Sequence, residues 1–476
     1  MRLKAAVVLL MACALAFAGF AGRSQTQFPD SPAAQQFRAW LTAFNSGDRA
    51  TLLAFLKKNQ PARAGEVDNE MGFRAQTGGF DFKKAEESTP TKFTGIVKEH
   101  GSDQFARFVI EVEAAEPHTI TRLDLRPTSA PAELAPARLS QAEALAALRP
   151  EIEKNVAADR FSGAASIAKN GETIFSGAYG LADREKKIPN KLETKFRIGS
   201  MNKMFTAVSV MQLVQAGKIK LSDPLGKYLT DYPNQDVATK VTIHHLLTHT
   251  GGTGDIFGPD FQTHRLELRT LQDYVKLYGQ RGLVFEPGSR WEYSNYGFLL
   301  LGVLVEKVSG QSYYDYVAEH VFKPAGMTST ASLAEDQAVA DRSIGYTKFG
   351  GGETWKPNTD TLPFRGTSAG GGYSTVGDLL RFANALQNHK LLDTEHTDLL
   401  TTGKVETPNG GKYAYGFIDR SNGAVRCFGH GGGAPGMNGD LQICPQTGYV
   451  IAVLANLDPP AAQRVSDFAA NRLPEK

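Results

Sequence analysis

Phe196-Arg197-Ile198-Gly199-Ser200-Met201-Asn202-Lys203 runs without a break into Met204-Phe205-Thr206-Ala207-Val208 and a helical pattern that continues to Gln215. The spacing predicts Ser200 at a helix N-terminus, with Lys203 one turn later on the same face. The positive helix end stabilises negative charge developing on a serine oxygen, and a neighbouring amine can take or relay its proton. A capping serine beside a solvated lysine is spelled the same way, so Ser-x-x-Lys does not define a site by itself. Two further stretches bear on it. Pro287-Gly288-Ser289-Arg290-Trp291-Glu292-Tyr293-Ser294-Asn295-Tyr296-Gly297 is a loop entering the apolar helix over Phe298–Val308. Tyr293 can act as a general base there if nearby cations lower its phenol from about 10. Asn295 can hold the lysine or a substrate amide. Cys427-Phe428-Gly429-His430-Gly431-Gly432-Gly433-Ala434-Pro435-Gly436 reads as a strand edge stripped of side chains. A substrate can lie along Gly431 and Gly432, a backbone N–H can complete an oxyanion hole, and His430 can project a ring into the same cleft. Taken singly, the last two stretches also read as an aromatic loop packed under a helix and a Gly-rich hairpin with an exposed histidine.

In this order the three stretches resemble the serine β-lactamase and penicillin-binding-protein superfamily, in its class C-like branch with esterases and D-amino-acid peptidases. The likeness runs from Ala142 to Leu457 and includes Leu246-Leu247-Thr248-His249-Thr250-Gly251-Gly252 and Gly371-Gly372-Tyr373-Ser374-Thr375-Val376-Gly377-Asp378-Leu379. It implies an antiparallel sheet flanked by helices plus a helical subdomain, an α+β or α/β fold over residues 139–476. It further implies acylation of Ser200, Lys203 as its lysine, Tyr293 as the tyrosine base and Asn295 as the end of the Tyr-x-Asn triplet. The N–H groups of Ser200 and Gly433 would form the oxyanion hole. His430 takes the first position of the Lys-Thr-Gly motif, and Gly431 replaces its threonine. A histidine is largely neutral near pH 7, whereas lysine is a permanent cation. The resemblance therefore implies ester or amide hydrolysis more than efficient β-lactam hydrolysis, with no cofactor or metal. The alternative is a β-lactam sensor that is acylated and then stalls. Activity that follows His430 protonation is expected.

Three other patterns compete. Gly366-Thr367-Ser368-Ala369-Gly370 fits G-x-S-x-G, with Asp378 and His430 following, but Pro363 stands where an elbow needs an apolar strand. His249-Thr250-Gly251 imitates the third motif but precedes the tyrosine triplet. His245 and His249 are spaced i, i+4 without the Glu of H-E-x-x-H, which points to a structural pair rather than zinc.

Ahead of this region lie a leader, an accessory unit and a strap. Arg2, Lys4 and the apolar run to Ala21 have the layout of a signal peptide cleaved after Ala18 or Ala21. Leu10-Met11-Ala12-Cys13 resembles a lipobox, but the apolar run continues past Cys13. A periplasmic or secreted protein without a stable membrane span is expected. Residues 30–126 read as two helices, from Ala33 to about Lys58, and then strands at Phe80–Lys84, Lys92–Lys98, Phe105–Val112 and Ile120–Leu125. Trp40-Leu41-Thr42-Ala43-Phe44-Asn45-Ser46-Gly47-Asp48 resembles the cystatin rolls of the SnoaL type, a small α+β domain read here as a docking or spacer unit. Residues 127–138 form a Pro-rich linker.

The chain has 476 residues, 52 Lys plus Arg and 50 Asp plus Glu. Removing residues 1–21 takes Arg2 and Lys4 and no acid, leaving a formally neutral chain with no basic surplus for nucleic acid. The expected partner is a small molecule or peptide with a carbonyl to be hydrolysed. The three cysteines exclude a disulfide-rich scaffold. Cys427 and Cys444 flank the Gly-rich turn and can pair in an oxidising compartment.

Overall fold

The computed structural model describes residues 28–349, 354–408, 411–421 and 425–475. The leader and Cys13 lie outside the described residues. Three helices, Pro32–Ser46, Arg49–Asn59 and Val67–Thr77, pack on a four-stranded antiparallel meander, Phe80–Ser88, Lys92–Glu99, Phe105–Val112 and Ile120–Thr128. Ser31 and Asp48 cap the first two helices with side-chain oxygens, satisfying amides that have no carbonyl within the helix. Phe37, Trp40, Leu41 and Phe44 face inward, and Phe37 stacks on Phe108 of the sheet with ring centroids 3.7 Å apart. The apolar periodicity predicts two helices here. The third escaped it because only Val67, Glu70 and Thr77 are buried on it, so it shows no apolar stripe.

Residues 129–140 form the strap and hold no helix or strand; Lys84 of the meander reaches it with a 2.7 Å ion pair to Glu133. The remainder is built on an eight-stranded antiparallel sheet. Its order is Val405–Glu406, Lys412–Tyr413, Ile418–Asp419, Phe428–Ala434, Met437–Cys444, Tyr449–Ala455, Gly163–Lys169 and Glu172–Tyr179. The first long hairpin of this region thus joins the last strand of the chain. It turns at Asn170 and Gly171, both at positive φ (51° and 85°), as a type I′ turn requires.

Helices Gln141–Ala157 and Ala461–Ala470 cover one face of the sheet around Ile152, Ile167, Ile451 and Val465. The other face carries the larger core, which includes Phe205, Leu300, Phe382 and Leu441. At its centre, helix Asn202–Gln215 is buried from Asn202 through Met211 on every side, the mark of a helix enclosed by others. Helix Asn295–Ser309 is likewise buried from Asn295 to Val305. Both helices begin at the same end of the sheet, where the glycines of Phe428–Ala434 lie. The meander and helix Val67–Thr77 dock onto helix Ala461–Ala470 and the residues after it, through Gln104 to Asp467, Asp103 to Arg472 and the Gln76 carbonyl to Arg464. Among the described residues no helix is long and apolar enough to cross a membrane.

Candidate active site

Gly199–Met201 forms a single 3-10 turn that feeds directly into helix Asn202–Gln215. Ser200 therefore sits where the first amides of a helix have no intrahelical acceptor. Lys203, one turn on, is 0% exposed. Its Nζ donates to Ser200 Oγ at 3.3 Å, Asn295 Oδ1 at 2.7 Å and the Ala369 carbonyl at 2.5 Å. Nζ also stands 4.6 Å from the Tyr293 ring centre and 5.5 Å from that of Phe298. Burial lowers its pKa to about 7, against an opposing pull from Asp255. Removing a charge from water disfavours the charged form, and the site supplies no direct counter-ion to offset that.

Tyr293 is hydrogen-bonded to Ser200, and its burial drives the phenol upward rather than downward, with Asp255 adding to the rise. This corrects the expectation of a cation-lowered tyrosine base. The loss of solvent outweighs the Ser200 hydrogen bond, which pulls the phenol the other way. Burial thus favours the neutral phenol at Tyr293 and, at Lys203, an amine that can lose its proton near pH 7.

Asn295 opens its helix directly after the cap, where Ser294 Oγ accepts the Gly297 N–H. Its Oδ1 is committed to Lys203 and its Nδ2 donates to Asp255 Oδ2 at 3.1 Å. Asp255 also accepts the Asn295 backbone N–H at 3.0 Å. The amide thus holds the lysine, while Nδ2 keeps a second N–H beyond the one given to Asp255. Asp255 fixes which way the amide faces.

The strand Phe428–Ala434 turns at Pro435-Gly436 into Met437–Cys444, with Ala434 opposite Met437, Gly432 opposite Gly439 and His430 opposite Leu441. In a two-residue hairpin the closing pair is hydrogen-bonded, so Ala434, Gly432 and His430 bond across to Met437–Cys444. The N–H groups of Gly433 and Gly431 then point to the other edge, which Ile418–Asp419 covers only as far as Gly429. The Gly433 nitrogen lies 3.0 Å from where a Cβ on Gly199 would stand. Its N–H thus faces the serine turn, as an oxyanion donor must. A Cβ on Gly432 would fall 1.9 Å from the Ile198 carbonyl, so no side chain fits between this strand and the serine. Gly431 shows its Cβ position to Gln463 on the opposite face. It therefore offers only its backbone to the cleft.

His430 is 3% exposed, not projecting into an open cleft. Its Nδ1 donates to the Gly431 carbonyl at 2.5 Å and its Nε2 lies 3.0 Å from the Tyr413 hydroxyl. Burial, with Lys203 adding to it, pushes the imidazole down to about 3. This direction runs against activity that follows His430 protonation: burial favours the neutral ring, and both of its nitrogens are engaged. Cys427 and Cys444 are joined by a disulfide at the base of the same hairpin.

Ser368 of the G-x-S-x-G pattern is fully buried, and a Cβ on Gly302 would meet its Oγ at 2.3 Å. It cannot meet a substrate, although the Ala369 carbonyl beside it serves Lys203. His245 and His249 do not converge. Helix Ile243–Leu247 ends between them, and His245 Nδ1 accepts from Thr242 N–H while His249 Nδ1 accepts from Ser294 N–H. Asp255, Tyr413 and the Ala369 carbonyl belong to the site and were not singled out from sequence. They come from a glycine-punctuated loop, a two-residue strand and the main chain, none of which leaves a pattern.

A family model described as Beta-lactamase matches residues 148–475. Among curated relatives, the putative penicillin-binding protein PbpX of Bacillus subtilis (strain 168) is 32% identical over 296 residues, covering 62% of this chain and 70% of that protein. Penicillin-binding protein 4* of the same organism is 30% identical over 295 residues, covering 58% of this chain and 64% of the relative. A penicillin binding protein from Bacillus halodurans superposes with a TM-score of 0.62 at 34% identity, covering 68% of this chain and 98% of that one. A D-stereospecific amidohydrolase from Streptomyces sp. superposes with a TM-score of 0.59 at 28% identity, covering 68% and 97% respectively.

Proposed function

The chain belongs to the Beta-lactamase family of serine hydrolases and penicillin-binding proteins, and from that premise we propose that it is an exported acyl hydrolase that cleaves small esters or D-amino-acid amides and peptides through an acyl-enzyme on Ser200. The observation that carries the reading is the placement of a fully buried amine, brought to about 7, 3.3 Å from Ser200 Oγ. A lysine at its ordinary value is an acid at neutral pH; this one is a base for about half the molecules at pH 7.

In the first step Ser200 Oγ attacks the carbonyl carbon and its proton passes to neutral Lys203. The negative oxygen of the tetrahedral intermediate rests on the N–H groups of Ser200 and Gly433. The Tyr293 hydroxyl protonates the departing alkoxide or amine and is itself reprotonated from the Lys203 ammonium, so the group leaves neutral. Water then attacks the acyl-enzyme with the same two groups moving its proton, releasing the acid and free Ser200. Neutral His430 beside the cleft gives no permanent cation to an antibiotic carboxylate, which supports esters and amides over β-lactams. The Streptomyces neighbour, a D-stereospecific amidohydrolase, supports the D-amide arm. Export rests on the leader pattern and on the Cys427–Cys444 disulfide.

The test compares purified chain and Ser200→Ala on a short-chain aryl ester, a chromogenic cephalosporin and a D-Ala-D-Ala peptide. Turnover of the ester or peptide beyond one equivalent, lost in Ser200→Ala, is expected. Release that stops at one equivalent would show a stalled sensor, and full activity in Ser200→Ala would sink the mechanism.

A further inference from the structure

We infer that His249 is the positioning residue of this site, an imidazole that acts as a hydrogen-bond acceptor to hold the Tyr293 hydroxyl against Ser200. The inference rests on the acyl-transfer reading of Ser200, Lys203 and Tyr293. His249 brackets Tyr293 from both sides in the chain. Its carbonyl accepts the Glu292 N–H at 2.9 Å, and its Nδ1 accepts the Ser294 N–H at 3.1 Å. The ring is tilted 35° to Tyr293 with the centroids 4.2 Å apart, and Phe298 and Tyr413 pack on it at 5.0 Å and 4.6 Å. Ser294 is also the cap of helix Asn295–Ser309. One residue therefore sets the height of Tyr293 and the point where Asn295 enters the helix to meet Lys203.

Two features show that this is more than core packing. First, His249 takes a left-handed backbone conformation, φ 59°, which an ordinary side chain adopts only at a cost. Second, its Nε2 is buried with no hydrogen-bond partner. Because Nδ1 accepts, the ring proton is on Nε2, and an unpaired buried N–H costs roughly 1–3 kcal/mol. An aliphatic side chain would fill the space without that cost but would leave the Ser294 N–H unmet. The acceptor is the part that the site needs. Burial, the Lys203 charge and His430 all hold the imidazole well below its ordinary value, so Nδ1 keeps its lone pair through neutral pH.

The test separates acceptor from backbone. In His249→Asn the amide oxygen can stand near the Nδ1 position, and Asn tolerates positive φ; in His249→Gly the backbone is relieved and the acceptor is gone. His249→Asn is expected to keep kcat within about threefold, and His249→Gly to lose about 10- to 100-fold in kcat with KM nearly unchanged, the scale of an ångström-level misplacement. Equal kcat in the two variants, or a loss confined to KM, overturns the inference. Nitrogen-15 NMR of histidine-labelled wild-type chain tests the geometry even if a variant fails to fold. Nδ1 should remain an unprotonated acceptor from pH 6 to 9, and a protonated Nδ1 overturns the assignment. Failure of the hydrolase reading would show separately, as wild-type chain whose Ser200 takes up no fluorophosphonate.

Discussion

Replacing Asp255 by Asn changes one charge near Lys203 and touches neither the serine nor the base. Lys203 Nζ is 2.7 Å from Asn295 Oδ1, and Asn295 Nδ2 is 3.1 Å from Asp255 Oδ2. Adding the width of the amide, the two charges stand about 7 Å apart, worth about 2 kcal/mol at an effective dielectric constant of 20. Asp255 is only partly buried, so solvent screening brings the expected effect to about one pH unit. The sign follows from the charge. A carboxylate favours the ammonium, so its removal lowers the lysine from about 7 to about 6. Any turning of the Asn295 amide toward its new neighbour would place an N–H against Lys203 and push in the same direction. The assay is the pH dependence of kcat/KM on an activated ester, which reports the free enzyme. The acid limb should have its midpoint near 7 in the wild type and about one unit lower in Asp255→Asn. No descending limb is expected below pH 10, because Tyr293 is shifted upward. A limb that stays in place, or moves up, refutes the assignment of Lys203 as the titrating base.

Two further outcomes follow from the same geometry. Lys203→Met should abolish turnover yet gain relative stability as pH falls: the native lysine is held at about 7 against 10.5 unfolded, so the folded chain binds fewer protons between those values and the penalty is complete only below 7. Urea unfolding of variant and wild type at pH 10 and pH 6 should show their difference moving toward the variant by about 4 kcal/mol; a difference independent of pH would refute the burial argument. The Cys427→Ser, Cys444→Ser double variant opens a loop with a sequence separation of 17 and should lose about 3 kcal/mol in chemical denaturation while keeping most of its activity well below its melting temperature. A loss under 1 kcal/mol would show that the hairpin is braced by its sheet neighbours alone.

The residues legible in the sequence are those whose neighbours are set locally. Ser200 and Lys203 share one helix at i, i+3, Tyr293 and Asn295 lie two apart, and the glycines of Gly431 to Gly433 adjoin on one strand. A secondary-structure pattern is enough to align such groups, and the four strands of the N-terminal meander were visible on the same basis. What remained hidden depends on burial or on a turn of the chain. Asp255 reaches Asn295 because Gly252 and Gly254 take positive φ, 66° and 68°, on either side of Thr253. Nothing in a hydrophobic pattern marks such a loop. The direction of the Tyr293, His430 and Lys203 shifts was equally out of reach, because all three are set mainly by loss of solvent. His430 looked exposed among its glycines; Tyr413, from a strand of two residues, covers it and takes up its Nε2.

These shifts have a common logic. Besides the Asp255 carboxylate, five groups around Ser200 could in principle carry charge, and burial moves each toward its neutral form: the two imidazoles and the amine downward, the two phenols upward. Only Lys203 lands near 7, because Asp255 pulls back on it through Asn295. Of these five, Lys203 is the group brought near neutral pH. That suits acyl transfer, where charge must develop on the substrate oxygen and be met by backbone N–H groups already in place. A permanent cation at position 430 would depress Lys203 further by repulsion. The histidine at that position and the moderate basicity of the lysine are therefore linked. His430→Lys should therefore move the acid limb of kcat/KM below its wild-type midpoint, and a limb that stays in place would refute the link.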